Sequence, residues 1–80
     1  FVSPNPGDDE INVKFVLEEP HSAEFELLDK EGNVLHSVSY HYSDAGSKEV
    51  NIPTSRFPAN VYLLRMSIDN FSITRRILLE

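Results

Sequence analysis

The sequence predicts an all-β fold, a small antiparallel β-sandwich of six or seven short strands. Three observations carry this. Apolar residues recur with period two in several separate stretches. Turn-forming residues interrupt them at roughly 8–12-residue intervals. No stretch keeps its apolar residues at helical spacing, and the chain holds only three alanines.

Residues 1–9, Phe-Val-Ser-Pro-Asn-Pro-Gly-Asp-Asp, read as a linker and strand lead-in. Two prolines one residue apart hold the backbone extended, and Gly7 with Asp8 offers a turn. One folded domain is then expected over residues 10–80. Ile11, Val13, Phe15 and Leu17 alternate with Asn12, Lys14, Val16 and Glu18, the pattern of a half-buried strand. Pro20, within Glu19-Pro20-His21-Ser22, breaks it because proline cannot donate to a sheet ladder. Ala23, Phe25 and Leu27 next face one way, with Glu24, Glu26 and Leu28 the other. Asp29-Lys30-Glu31-Gly32-Asn33 is a hairpin loop in which Gly32 supplies a positive φ.

Val34 to Tyr42 returns as a strand with no settled inward face: Val34, His36, Val38, Tyr40 and Tyr42 share one parity and Leu35 the other. After the loop Ser43–Ser47, Val50 and Ile52 mark a short strand ended by Pro53. The clearest alternation comes last. Tyr62, Leu64, Met66 and Ile68 share one face, and Asp69-Asn70 occupies a tight turn where both residues tolerate the left-handed region. Phe71, Ile73, Ile77 and Leu79 continue the alternation, with Arg75 interrupting it. An arginine there must snorkel to an edge or pair with an acid.

A chain of 80 residues hides only about two-thirds of the surface its unfolded form exposes, so the core must be economical. Leu, Ile, Val and Phe supply 25 of the 80 residues, enough for a folded domain. The net charge of −6 opposes nucleic-acid binding, since a phosphate backbone would be repelled. No apolar run approaches the ~20 residues of a membrane-spanning helix, so membrane insertion is not expected. Without cysteine there is no disulfide framework, thiolate nucleophile or zinc–thiolate site. Charge is uneven: residues 1–40 carry two lysines against nine acids, and residues 41–80 five Lys/Arg against four. Arg65, Arg75 and Arg76 are thereby available to the glutamate-bearing strands. The chain opens at Phe1 with no signal peptide, as expected of residues cut from a longer chain whose export signal lies upstream.

No residue pattern points to catalysis, and no cofactor or metal is expected. His36 and His41 differ by five and point to opposite faces of a strand, while His21 lies in a turn; all three read as solvated or edge histidines. Asp8-Asp9-Glu10 lacks the loop pattern of a calcium site and reads as solvated. Glu24 and Glu26 share an outward strand face, with Glu18 expected across from them, and they keep that face soluble. Ser39, Ser43 and Ser47 near His41 and Asp44 hold the letters of a triad without a nucleophile elbow or oxyanion loop. Tyr40 and Tyr42 form a conceivable sugar-stacking face, though core packing is the ordinary use.

The order of features across the chain carries a resemblance. Ser3-Pro4-Asn5-Pro6 opens it, followed by an alternating strand; Phe25-Glu26-Leu27-Leu28-Asp29-Lys30-Glu31-Gly32-Asn33-Val34-Leu35 is a strand, an Asp-x-x-Gly hairpin and a strand. Ile52-Pro53 through Phe57 leads to Ala59-Asn60-Val61-Tyr62-Leu63-Leu64, and Arg75-Arg76-Ile77-Leu78-Leu79-Glu80 closes the series. This resembles the C-terminal sorting domain of proteins exported by the type IX (Por) secretion system of Bacteroidetes, over essentially all 80 residues.

The resemblance implies an Ig-like sandwich that is a secretion address and not an enzyme. Its partners would be an upstream cargo domain, the outer-membrane translocon that reads the address, and a cell-surface sortase that removes it. The cargo would cross the periplasm to the outer-membrane surface or be secreted. Carried over residue by residue, recognition falls on Pro4, Asn5 and Pro6 as the opening motif, Gly32 as the hairpin glycine and Tyr62 as the aromatic of the penultimate strand. Arg75, Arg76, Ile77, Leu78, Leu79 and Glu80 form the terminal recognition strand. The sequence departs from the family in having Asn60 and Asp69-Asn70 where glycines are usual, and Asn is the next-best residue for a left-handed turn. Strand-exchanged or edge-paired dimers through the free terminal edge are a further expectation. The competing reading is an Ig-like binding or spacer module of a surface enzyme or adhesin, touching carbohydrate through Tyr40, Tyr42 or Phe57.

Overall fold

The computed structural model describes the backbone of residues 2–5 and the whole of residues 9–79. Seven strands run in chain order: β1 (Val2–Asn5), β2 (Glu10–Leu17), β3 (His21–Leu28), β4 (Val34–Tyr42), β5 (Gly46–Pro53), β6 (Asn60–Ile68) and β7 (Phe71–Leu79). They form two wholly antiparallel sheets, one ordered β1-β2-β5 and the other β4-β3-β6-β7. No helix occurs among the described residues. The result is the all-β sandwich that the alternation predicts, and seven strands divided between two sheets are consistent with an immunoglobulin-like arrangement.

The core lies between the sheets and is built from the alternating rows. Ile11 and Val13 of β2 and Val50 and Ile52 of β5 meet Ala23, Phe25 and Leu27 of β3, Tyr62 and Leu64 of β6, and Ile77 and Leu79 of β7. Each fully buried aliphatic or aromatic side chain contributes roughly 1.5–3 kcal/mol relative to exposure. Phe15 packs its ring against Phe25 and Tyr42, with centroids 5.6 and 5.8 Å away, and so extends the core toward β4. Burial raises the Tyr42 hydroxyl above its ordinary pKa, with the neighbouring Tyr40 adding to it. Among the described residues, no buried side-chain polar atom lacks a hydrogen-bond partner.

Within residues 1–9, expected as linker and lead-in, Val2–Asn5 is a paired strand and not an unpaired approach. It runs antiparallel to β2, with Val2 opposite Val13 and Asn5 opposite Glu10. An edge strand tolerates Pro4, whose missing N–H can fall on the open side. Its other neighbour is β7, the edge of the facing sheet.

The ambiguous face of β4 resolves through a bulge. Leu27 lies opposite His36 but Leu28 lies opposite Val34, which leaves Leu35 without a partner. One extra residue reverses the alternation at that point. His36, Val38, Tyr40 and Tyr42 then form the inward row.

Candidate recognition surface

The β6–β7 hairpin is fixed at both ends. At its tip, Ile68 faces Phe71, so Asp69-Asn70 is a two-residue turn. Only Asp69 takes the left-handed conformation, with φ 54°. The tight turn expected at Asp69-Asn70 is present, with Asn70 outside that region. At the opposite end, Tyr62 donates a 2.6 Å hydrogen bond from its hydroxyl to the carbonyl oxygen of Pro58, four residues upstream. A tyrosine near the start of the sixth strand that ties back to the preceding corner is a known brace of immunoglobulin-like sandwiches. Phe57 packs on the same ring at 6.1 Å. Asn60 does not occupy a left-handed turn, contrary to the glycine comparison. It is the first residue of β6, opposite Leu79, and its side-chain oxygen accepts the Val61 N–H at 2.8 Å.

The terminal strand divides into two rows. Ile77 and Leu79 point inward and are buried. Arg75 shares their parity, but the edge position leaves it exposed, and its Nη1 donates to the Thr74 carbonyl oxygen at 3.3 Å. It snorkels, as predicted. Arg76 and Leu78 point outward, with Leu78 56% exposed. Leu78 lies opposite Val61 and Arg76 opposite Leu63, so the outer face of the hairpin combines three aliphatic side chains with a guanidinium. Neither Arg75 nor Arg76 has a carboxylate within 4.0 Å among the described residues. Val61 and Leu63 were not singled out from sequence. Their signal is aliphatic residues in the outward row of a strand whose inward row is already apolar.

Other motif residues fall elsewhere. Gly32 has φ 92° and closes the β3–β4 loop, donating its N–H to the Asp29 carbonyl oxygen at 3.0 Å. The Asp29 carboxylate organises the same loop: Oδ1 accepts from the N–H groups of Glu31 and Asn33, and Oδ2 from the Asn33 side chain. The Asn33 amide, followed by the backbone bonds, holds this carboxyl below its ordinary value. Pro4 and Asn5 stand on β1 opposite Ile11 and Glu10. Pro6 and Glu80 lie outside the described residues, as does Asp8 of the acidic lead-in.

The residues weighed for chemistry do not assemble into a catalytic site. Glu26 is bonded to Arg65, while Glu24 stands between Ser39 and Ser67. Glu18 is in the β2–β3 turn and not across from either, contrary to expectation, because β2 belongs to the other sheet. His41 Nδ1 shares a 3.0 Å hydrogen bond with Ser22, its cross-strand partner, and with none of Ser39, Ser43 or Ser47. No cluster of three or more His, Asp or Glu able to hold a metal occurs among the described residues. Tyr40 and Tyr42 pack within the Phe15–Phe25 cluster, their centroids 6.1 Å apart.

The model of one family, described as the secretion system C-terminal sorting domain, matches residues 2–80. No curated protein and no solved structure matches the chain. The family match covers the same series that the sequence shows, from the opening Ser3-Pro4-Asn5 to the final strand. With a β-sandwich beneath it, the chain belongs to the type IX secretion C-terminal sorting domains.

Proposed function

We propose that this domain is the address of an exported protein, read by the type IX outer-membrane translocon and then removed by a cell-surface sortase. Family membership already implies a sorting signal, an upstream cargo and delivery to the surface or the medium. The finer reading concerns which residues are read. It rests on one observation: the last strand buries Ile77 and Leu79 while exposing Arg75, Arg76 and Leu78 beside Val61 and Leu63. A receptor that contacts this outer face gains apolar area and a cation that has no carboxylate within 4.0 Å among the described residues. The opening motif Pro4-Asn5-Pro6 and the terminal Glu80 belong to the same proposal, as the two ends of the recognised unit, with Gly32 and Tyr62 holding its shape. Sortase cleavage is assigned to the chain preceding β1, where cutting leaves the sandwich intact.

The test fuses residues 1–80 to a reporter bearing a signal peptide, in a type IX-competent strain and in a secretion mutant. Delivery to the surface only in the competent strain is the expected result. Deleting Ile77 to Glu80 abolishes it, but that deletion also removes two core side chains. The discriminating variant is the pair Arg76→Gln and Leu78→Ser, which keeps the core. Retention of this folded variant in the periplasm supports the reading; normal delivery rejects it.

A further inference from the structure

Two sheets present four edges, and three of them are blunted. β1 is four residues long and contains Pro4. β5 carries Lys48 in its inward row, Glu49 beside it, and ends at Pro53. β7 carries Arg75 in its inward row and Arg76 next to it. Charges, prolines and short length are the usual devices that stop a foreign strand from pairing.

The fourth edge has no charge, proline or short length, and its one such device is the bulge at Leu35, near its start. β4 reads Val-Leu-His-Ser-Val-Ser-Tyr-His-Tyr, nine residues without Lys, Arg, Asp, Glu, Pro or Gly. Beyond the bulge, His36 to Tyr42 is a regular ladder on its β3 side and open on the other. Tyr40 on this strand is 38% exposed.

Two cations stand at the ends of this stretch. Arg56 donates from Nη2 to His36 Nδ1 at 2.9 Å, and its Cζ lies 5.1 Å from the Phe57 ring centroid. Arginine has no acceptor, so this His36 nitrogen is unprotonated. Lys48 Nζ sits 5.3 Å from the centroid of Tyr42. In a chain of net charge −6, neither has a carboxylate within 4.0 Å among the described residues.

We infer that the free edge of β4 is a strand-addition site for an extended segment of a partner protein that carries carboxylates about six residues apart. His36 and Tyr42 are six positions apart in one row, about 20 Å in an extended chain. Side chains at that spacing share one face, so one acid meets Arg56 and the other meets Lys48. Main-chain bonds supply the affinity and the paired charges fix the register. A second copy of this chain fits less well. β4 itself offers no carboxylate, and antiparallel self-pairing brings Arg56 of one copy toward Lys48 of the other.

The probe is a capped nine-residue peptide of alternating Thr and Val, with Glu at its second and eighth positions, added to the isotopically labelled 80-residue chain. Amide shifts and slowed hydrogen exchange confined to residues 36–42 are expected, with β5 and β7 unmoved. Replacing both Glu by Gln weakens binding. Lys48→Gln and Arg56→Gln each weaken it about two- to fivefold, less in high salt. Absence of binding at any soluble peptide concentration overturns the inference. So do shifts that map to another edge, equal binding of the Gln peptide, or a peptide-free dimer that already protects β4. The assay reads the isolated chain, so its failure leaves the sorting reading intact.

Discussion

Arg65 Nε donates a 2.8 Å hydrogen bond to Glu26 Oε1, joining β6 to β3 on the outer face of the four-stranded sheet. The bond and the charge of Glu26 raise the guanidinium pKa above its ordinary value. The two partners are unequally covered, since Glu26 keeps 15% of its side-chain exposure and Arg65 38%. Removing the arginine strands a covered carboxylate, whereas removing the acid leaves a cation that water still reaches. Arg65→Ala is therefore expected to lower the urea midpoint more than Glu26→Ala. The coupling measured by the double mutant should shrink as salt is added.

Asp29 gives the domain an acid-sensitive loop. Its folded pKa lies below the unfolded value of 3.8, chiefly through the Asn33 amide. A depressed carboxyl contributes stability that is fully present above the unfolded pKa and lost as pH falls through the folded one. Asp29→Asn should thus destabilise at neutral pH, and the gap from the parent should close below about pH 3.8. Denaturant titrations at several pH values check this; a gap independent of pH would remove the carboxylate from the explanation.

The turn residues Asp69 and Asn70 should respond oppositely to glycine. Asp69 occupies φ 54°, where a side chain is strained, so Asp69→Gly should stabilise by up to about 1 kcal/mol. Asn70 is outside that region, and Asn70→Gly should cost about 0.4–1 kcal/mol through the unfolded chain. Thermal unfolding of the two variants decides the sign.

Tyr62→Phe keeps the buried ring but leaves the Pro58 carbonyl oxygen without its partner. The expected loss is about 0.5–1.5 kcal/mol, read from chemical denaturation.

Neighbouring leucines on the last strand should separate stability from recognition. Leu79→Ala removes core packing and should cost about 2–5 kcal/mol, a large part of what a small domain possesses. Leu78→Ser, on the exposed row, should stay within about 0.5 kcal/mol of the parent. Melting curves of the purified domains test both.

Much of the framework was legible because alternation reports burial directly wherever a strand has two neighbours. Ile11, Val13 and Leu17, then Phe25 and Leu27, then Tyr62 and Leu64 each declared their inward row. Edge strands were harder. β4 has one neighbour and a bulge at Leu35, so its apolar residues follow no single parity. β1 was hidden because two prolines look like a linker when the pairing partner is unknown. Contacts such as Ser22–His41 and Arg56–His36 join residues 19 and 20 apart; the β3–β4 register makes the first, and the loop between β5 and β6 reaching β4 makes the second. Asn60 misled for another reason: glycine at a position elsewhere in the family does not require a left-handed backbone in this chain.

The burial of Ile77 and Leu79 has a consequence for biosynthesis. A polypeptide whose translation stopped anywhere before the seventh strand would lack the last rung of its interior and could not close. Closure of the sandwich thus waits until the ribosome has read through to Leu79, because the inward row of the seventh strand supplies the closing side chains of the interior.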